Sequence, residues 1–224
     1  MNITQVLPNV LHIQFDSITE MSASLGRVQE FAENPTLHNQ VVSWSRLKNY
    51  HKSKGNTRTF NAAWLGFNIP GSAFTEFYEQ CTHFKPKEKR VIELVLNYKF
   101  EGDFYVMADG DKRAKKESYK AGDHELAHAL FGTNKEYKKT VMSLINSYSK
   151  KDALLLKIKK MNCYAPNVWD DELHAYVTTD TFSNLLSRFK LDKEDEELLE
   201  LKKKLEETFT HYKALISYDD TITV

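Results

Sequence analysis

The chain has 224 residues, 41% of them hydrophobic, which suffices for one sizeable domain with a buried core. Lys plus Arg and Asp plus Glu each number 31, so the formal charge is zero and no global field draws the chain toward nucleic acid or an acidic membrane. No run approaches about 18 apolar residues, and MNITQVLPNVLHIQF lacks a basic segment followed by a long apolar one. The expectation is a cytoplasmic protein without a membrane span, a pattern that a bacterial effector secreted without a Sec signal would share.

Leu11 to Phe15 reads as a short strand. Residues 18 to 33 carry helical spacing through Met21, Leu25, Val28 and Phe31, stopped by Pro35, and a second helix is expected over Ser43 to His51. The segment TFNAAWLGFNIPGSAFTEFYEQC mixes aromatic residues with Gly66, Pro70 and Gly71 before helical spacing resumes through Phe74, Phe77 and Tyr78, which predicts a packed turn leading into a helix. Lys87 to Tyr98 reads as helix and Asp103 to Ala108 as a strand, bounded by Gly102 and Asp109-Gly110. A charged loop follows, expected to be mobile from Asp109 to Gly122, with Lys112, Arg113, Lys115 and Lys116 solvated at the mouth of any site on the next helix.

That helix should begin near Ser118 or Ala121 and stop at Gly132, where a left-handed cap is expected. Thr133 and Glu136 have capping-box spacing and predict a new helix to about Ser149. Further helices are expected over Asp152 to Met161, from Val168 through Thr179 to Phe189, and from Asp192 to about Leu215, the last with Leu198, Leu201, Leu205, Phe209 and Tyr212 as an apolar stripe. With 8 Gly, 5 Pro and no repeat, residues 1–224 read as a single α+β, mostly helical domain. Its 1–100 portion is expected to be helical; a small sheet then precedes the helix at 121–132, and the remainder of 101–224 is helical. Cys81 and Cys163, far apart in apolar or aromatic contexts, suit reduced thiols.

The chemistry centres on GDHELAHALFG, which contains His124-Glu125-Leu126-Ala127-His128. Residues four apart share one face of a helix, so His124 and His128 can reach one zinc ion at about 2.0–2.1 Å. Glu125 stands about 100° round the helix, beside the metal, where it can take a proton from the attacking water. Ala127, Leu130 and Phe131 supply the apolar back face. A catalytic zinc needs a third protein ligand, and no histidine stands six residues after His128. The best candidate is Glu172 in NVWDDELHAYV, with His174, Asp171 and Asp170 as rivals; the same three acids could instead be first-turn charges of a helix.

From Asp103 to Thr179 these motifs resemble the zincin metallopeptidases, and within them the gluzincin pattern of two HExxH histidines plus a glutamate on a later helix. The resemblance implies a zincin-like fold, one Zn2+ per chain held by His124, His128 and Glu172, Glu125 as general base, and an edge strand at Phe104 to Ala108 that binds an extended peptide or protein substrate. DELHAY stands where an NExxxD-type motif would be, so the sequence departs from the pattern at the third ligand. Tyr176, one turn beyond Glu172, is a candidate oxyanion donor or a core tyrosine. The function read from these residues is a zinc-dependent hydrolase, a metallopeptidase, with a non-catalytic zinc-binding interaction module as the alternative. A di-iron carboxylate site would need a second ExxH, which is lacking.

Overall fold

A computed structural model describes residues 1–54, 66–100, 102–110, 121–191, 195–216 and 219–223. Most of the charged loop expected to be mobile, with its KRAKK run at 112–116, lies outside the described residues, as does Trp64.

The fold is α+β, with a five-stranded sheet between two layers of helices. β1 (Asn2–Leu7) and β2 (Val10–Gln14) form an antiparallel hairpin, and β2 pairs in parallel with β4 (Tyr105–Asp109). β3 (Gly66–Pro70) runs antiparallel to β4, and β5 (Asp219–Thr223) adds to β1, giving the order β3-β4-β2-β1-β5. Strand residues alternate faces with period two, and the two cores follow that alternation. Leu11, Ile13, Phe67, Ile69, Val106 and Ala108 meet α1 (Ile18–Glu33), α3 (Gly71–Gln80) and α4 (Pro86–Asn97). Val10 and Met107 point the other way, into a core shared with α5 (Ala121–Thr133), α6 (Lys135–Ser147), α7 (Lys151–Met161), α8 (Trp169–Thr179), α9 (Phe182–Phe189) and α10 (Glu196–Ala214). A small third cluster seats α2 (Trp44–Ser53) through Leu37, Val42 and Leu47.

Several expectations change here. The first 100 residues are not simply helical, because β1, β2 and β3 come from them. Gly66–Pro70, read as part of a packed turn, is a strand; its Asn, Gly and Pro disguise a segment whose Phe67 and Ile69 alone face the core. β4 is not the edge strand: it is paired on both sides, and β3 takes the edge position. The helix expected to run through Thr179 to Phe189 breaks at Asp180, because Thr181 caps a new helix by accepting from the Asn184 amide. Asn134, not Thr133, caps α6, its side chain accepting from the Tyr137 amide.

Gly132 is not a left-handed cap; it lies inside α5, and a Cβ there would collide with the Tyr105 ring. The glycine is needed for close helix–strand approach, so sequence placed it correctly near the helix end for a different physical reason. Gly132→Ala should therefore destabilise the protein by about 1–3 kcal/mol in urea unfolding although alanine is the better helix former. A neutral or stabilised variant would show that the ring is not fixed against α5.

Candidate metal centre

α5 and α8 pack directly against each other, and α5 also lies on β3 and β4. In α8 every residue from Glu172 to Thr178 is buried, the mark of a helix enclosed on all sides. Asp171, Ala175 and Thr179 fall at successive i+4 positions on one face, with Ala175 in the middle offering no bulk to hold a neighbouring helix away. The contacts run in opposite directions along the two helices: Thr179 meets His124, while Asp171 and Glu172 meet His128.

His124, His128 and Glu172 are each buried and bring one ligand atom apiece to within 4.8 Å of one another. Nε2 of His124 and Nε2 of His128 are 3.3 Å apart, and Oε1 of Glu172 is 3.7 Å from the latter. Two nitrogens held about 2.0–2.1 Å from a common tetrahedral ion would be separated by about 3.3 Å. The tautomers also agree. The Thr179 hydroxyl donates to the Ala175 carbonyl at 2.7 Å, so it accepts from Nδ1 of His124 at 3.1 Å. Nδ1 of His128 faces Oδ1 of Asp171 at 2.9 Å, an ion-pair contact that keeps the proton on that nitrogen. Both Nδ1 protons being used, the Nε2 lone pairs face each other, an arrangement that a proton or a metal cation between them relieves. Oε2 of Glu172 is buried without a hydrogen-bond partner, a second sign of a group suited to coordination.

The rivals of Glu172 are placed elsewhere. Asp171 backs His128 and does not join the ligand group; its contact with a histidine Nδ1 is the one that fixes ring orientation in metal sites. His174 is fully buried behind Asp171, its Nε2 bonded to the Tyr137 hydroxyl at 2.7 Å. Asp170 pairs with Lys151. Tyr176 packs its ring 4.9 Å from that of His124 and joins its hydroxyl to that of Tyr164 at 2.6 Å. Glu125 lies against β3: a Cβ on Gly66 would come within 2.6 Å of its Oε1, and the Asn68 amide donates to its backbone carbonyl at 3.0 Å.

Two participants escaped the sequence reading. Tyr164 faces Glu172 and carries Tyr176. Glu33, the last residue of α1, borders the same cavity as His128, Asp171 and Glu172. Neither lies within a motif; a glutamate at the end of a helix 91 residues before His124 gives no local signal.

Crowding of acids sets the electrostatics. Burial pushes Glu125 up to about 8 and Glu172 up to about 7, with His128 working against both shifts and neighbouring carboxylates reinforcing them. Burial and then Glu172 raise Glu33 well above the usual carboxylate range. Burial opposes ionisation of Asp171 too, but His128 outweighs it and holds that carboxyl at about 2. His128 is penalised by burial yet kept well above the usual imidazole range by Asp171 and Glu172, whereas burial pushes His124 well below it.

These shifts give the metal-free protein a distinctive pH dependence. Glu125 and Glu172 stabilise the fold in their neutral forms, a contribution present in acid and lost as pH rises through about 7 and about 8. His128, with a raised value, adds loss in the same direction. His124, with a lowered value, contributes fully only above 6.5, the usual imidazole value. Melting temperatures with a chelator present should therefore fall between pH 6.5 and about 8, and zinc, if His124, His128 and Glu172 hold it, should reverse the trend because it would take ionised Glu172 and neutral imidazoles. A metal-free melting temperature that climbs across this range would contradict the assignment.

Zinc titrations separate the acids and His174. Glu172→Ala should lose most affinity, Asp171→Asn should lose about 10–100-fold, and His174→Ala should bind as the unaltered chain does. Unchanged affinity in Glu172→Ala would remove it from the ligand set. No protein-family model, no curated protein and no solved structure matches this chain, so the reading of its centre rests on these residues and their geometry.

Proposed function

We propose that the chain is a zinc-dependent hydrolase of peptide bonds, one Zn2+ per chain, with His124, His128 and Glu172 as ligands and Glu125 as general base. The observation that carries the reading is the pair of Nε2 atoms 3.3 Å apart, oriented by Thr179 and Asp171, with Glu172 completing the group and Glu125 adjacent. Zinc bound there would act as a Lewis acid toward a carbonyl and toward water.

The chain's own residues do the rest. Glu125 takes a proton from the attacking water and returns it to the leaving amine, a task its place beside His128 and against β3 suits once a cation at the ligand group favours its ionised form. Asp171 and Thr179 keep the two imidazoles in the ligating tautomer. Tyr176 acts through Tyr164 as a positioning residue for Glu172; the oxyanion role expected of it would require its hydroxyl to leave Tyr164. The edge position of β3, beside Glu125, makes Gly66–Pro70 the segment whose backbone would align an extended substrate. The substrate strand expected at Phe104 to Ala108 is thereby replaced by its neighbour.

The alternative, a zinc site that only pins helices together, draws on one observation: His124, Glu125, His128 and Glu172 are each less than a tenth exposed. It predicts a fourth protein ligand in place of water. Glu125→Gln decides between them. In the hydrolase, zinc stoichiometry is unchanged and turnover of a peptide library falls by about 10²–10⁴-fold. Equal turnover in the variant, or none in the zinc-loaded parent, removes the catalytic reading.

A further inference from the structure

At the end of α8, on the Nδ1 side of His124, lies a cleft of about 690 Å³. Among the described residues, none of His124, His128 and Glu172 lines it, and it shares no lining residue with the cavity bordered by Glu33. Three carboxylates face it, and each is already held by a cation: Asp123 by Lys213, Asp180 by Arg188 at 2.8 Å, and Glu206 by Lys202 at 2.7 Å. Two of those cations are themselves fixed, Arg188 over the Tyr176 ring at 4.3 Å and Lys202 by the Val177 carbonyl at 3.2 Å. Lys213 also lines the cleft, so among the described residues every lining charge is matched. Hydroxyls stand among these pairs, from Thr178, Thr179 and Thr181 on either side of Asp180 and from Thr210 on α10. Thr181 accepts from the Asn184 amide, which leaves its own proton to donate elsewhere. Phe209 and Ala214 supply the apolar part of the wall.

Matched charges decide what such a cleft can hold. A charged ligand would give up its water with no opposite charge left to receive it, and a wholly apolar one would strand the carboxylates and hydroxyls. The lining fits a neutral molecule whose groups both donate and accept and which carries an apolar face as well. A carboxylate held in place by a cation accepts from an O–H in a bond roughly twice as strong as one between neutral groups, and a threonine hydroxyl can take either role. A sugar ring combines these features, with hydroxyls round its rim and C–H groups on its faces. The volume falls in the range of about 300–1,000 Å³ usual for small-molecule sites, room for one or two rings. We propose that this cleft binds a neutral carbohydrate of one or two rings, with Asp123, Asp180 and Glu206 accepting from its hydroxyls, Thr181 and Thr210 bonding others, and Phe209 against a ring face. The site stands apart from the hydrolase reading and needs no metal. Thr179 nevertheless belongs to both places, since it lines the cleft and accepts from Nδ1 of His124.

The test titrates the full chain, with and without zinc, using glucose and maltose against three comparators: cationic glucosamine, anionic glucuronate and sorbitol, which has the hydroxyls but no ring. Binding is read by calorimetry and by protein NMR at about pH 6.5, where an ordinary amine is charged, with ligand up to about 10 mM, enough to saturate a site of Kd about 1 mM. Glucose or maltose should bind equally well with and without zinc, and the three comparators should bind about 10-fold more weakly or less. Thr210 is exposed on α10, so Thr210→Trp should fill the cleft and abolish binding while the melting temperature and zinc content stay unchanged. Thr210→Val, which removes one hydroxyl and keeps the shape, should weaken binding by about 3–10-fold and serves if the tryptophan variant does not fold. Lack of binding by both sugars would overturn the proposal, as would tighter binding of either charged analogue or equal binding of sorbitol. Undiminished binding in the folded Thr210→Trp chain would put the sugar elsewhere, and binding that disappears with the zinc would put it at the metal centre; either result removes the cleft as its site.

Discussion

The antiparallel contact between α5 and α8 is the constraint on which the rest depends. Each helix alone carries polar residues where a core would want apolar ones: His124 and His128 on one, Asp171, Glu172 and His174 on the other. Buried singly, such groups cost several kcal/mol each. Docked, they satisfy one another through Thr179–His124 and Asp171–His128, while Tyr137 of α6 takes His174, and the helices gain a fixed rotation and register. A shift of either helix by one residue would turn Asp171 away from His128, so the polar contacts specify the alignment that the surrounding leucines and valines only permit.

That economy is incomplete in one respect. Glu33, Glu125, Asp171 and Glu172 sit together in a region with few protein cations, and three of the four are driven toward the neutral acid. Only Asp171, beside His128, is held ionised in spite of its burial. An arrangement that keeps acids protonated at neutrality is unfavourable unless something positive enters, because each carboxyl released from that state would otherwise face another. A divalent cation between the Nε2 atoms, as proposed above, would answer most of that surplus.

What sequence revealed and what it hid divide along physical lines. The helix at 121–133 and its two histidines were legible because a four-residue repeat forces them onto one face whatever the rest of the chain does. Glu172 was legible as the best candidate, with Asp171 and His174 as rivals that sequence alone could not place; only the rotation of α8 against α5 assigns Asp171 to His128 and turns His174 toward Tyr137. β3 was hidden because an edge strand with one buried face needs only Phe67 and Ile69, too few to outweigh Gly66 and Pro70. Glu33 and Tyr164 were hidden more deeply. Their place in the site comes from the end of α1 and the α7–α8 connection meeting through the Ala165 amide and the Glu33 carbonyl, a contact between segments 132 residues apart.

Gly66 shows how the sheet reaches the candidate site. It is the first residue of β3, opposite Asp109 in the register, and any side chain there would occupy the space taken by the Glu125 carboxyl. Two positions along, on the same face, the Asn68 side chain donates to the Glu125 carbonyl. The period of two that puts Phe67 and Ile69 into the opposite core therefore also sets the spacing of these two contacts on the site side. One extended segment leaves room for the Glu125 carboxyl at one point and bonds the Glu125 backbone at the next, so β3 shapes the candidate site as well as bordering the sheet. A strand of alternating large apolar residues would pair as well with β4 and pack more firmly, but it would exclude Glu125 from its place beside His128.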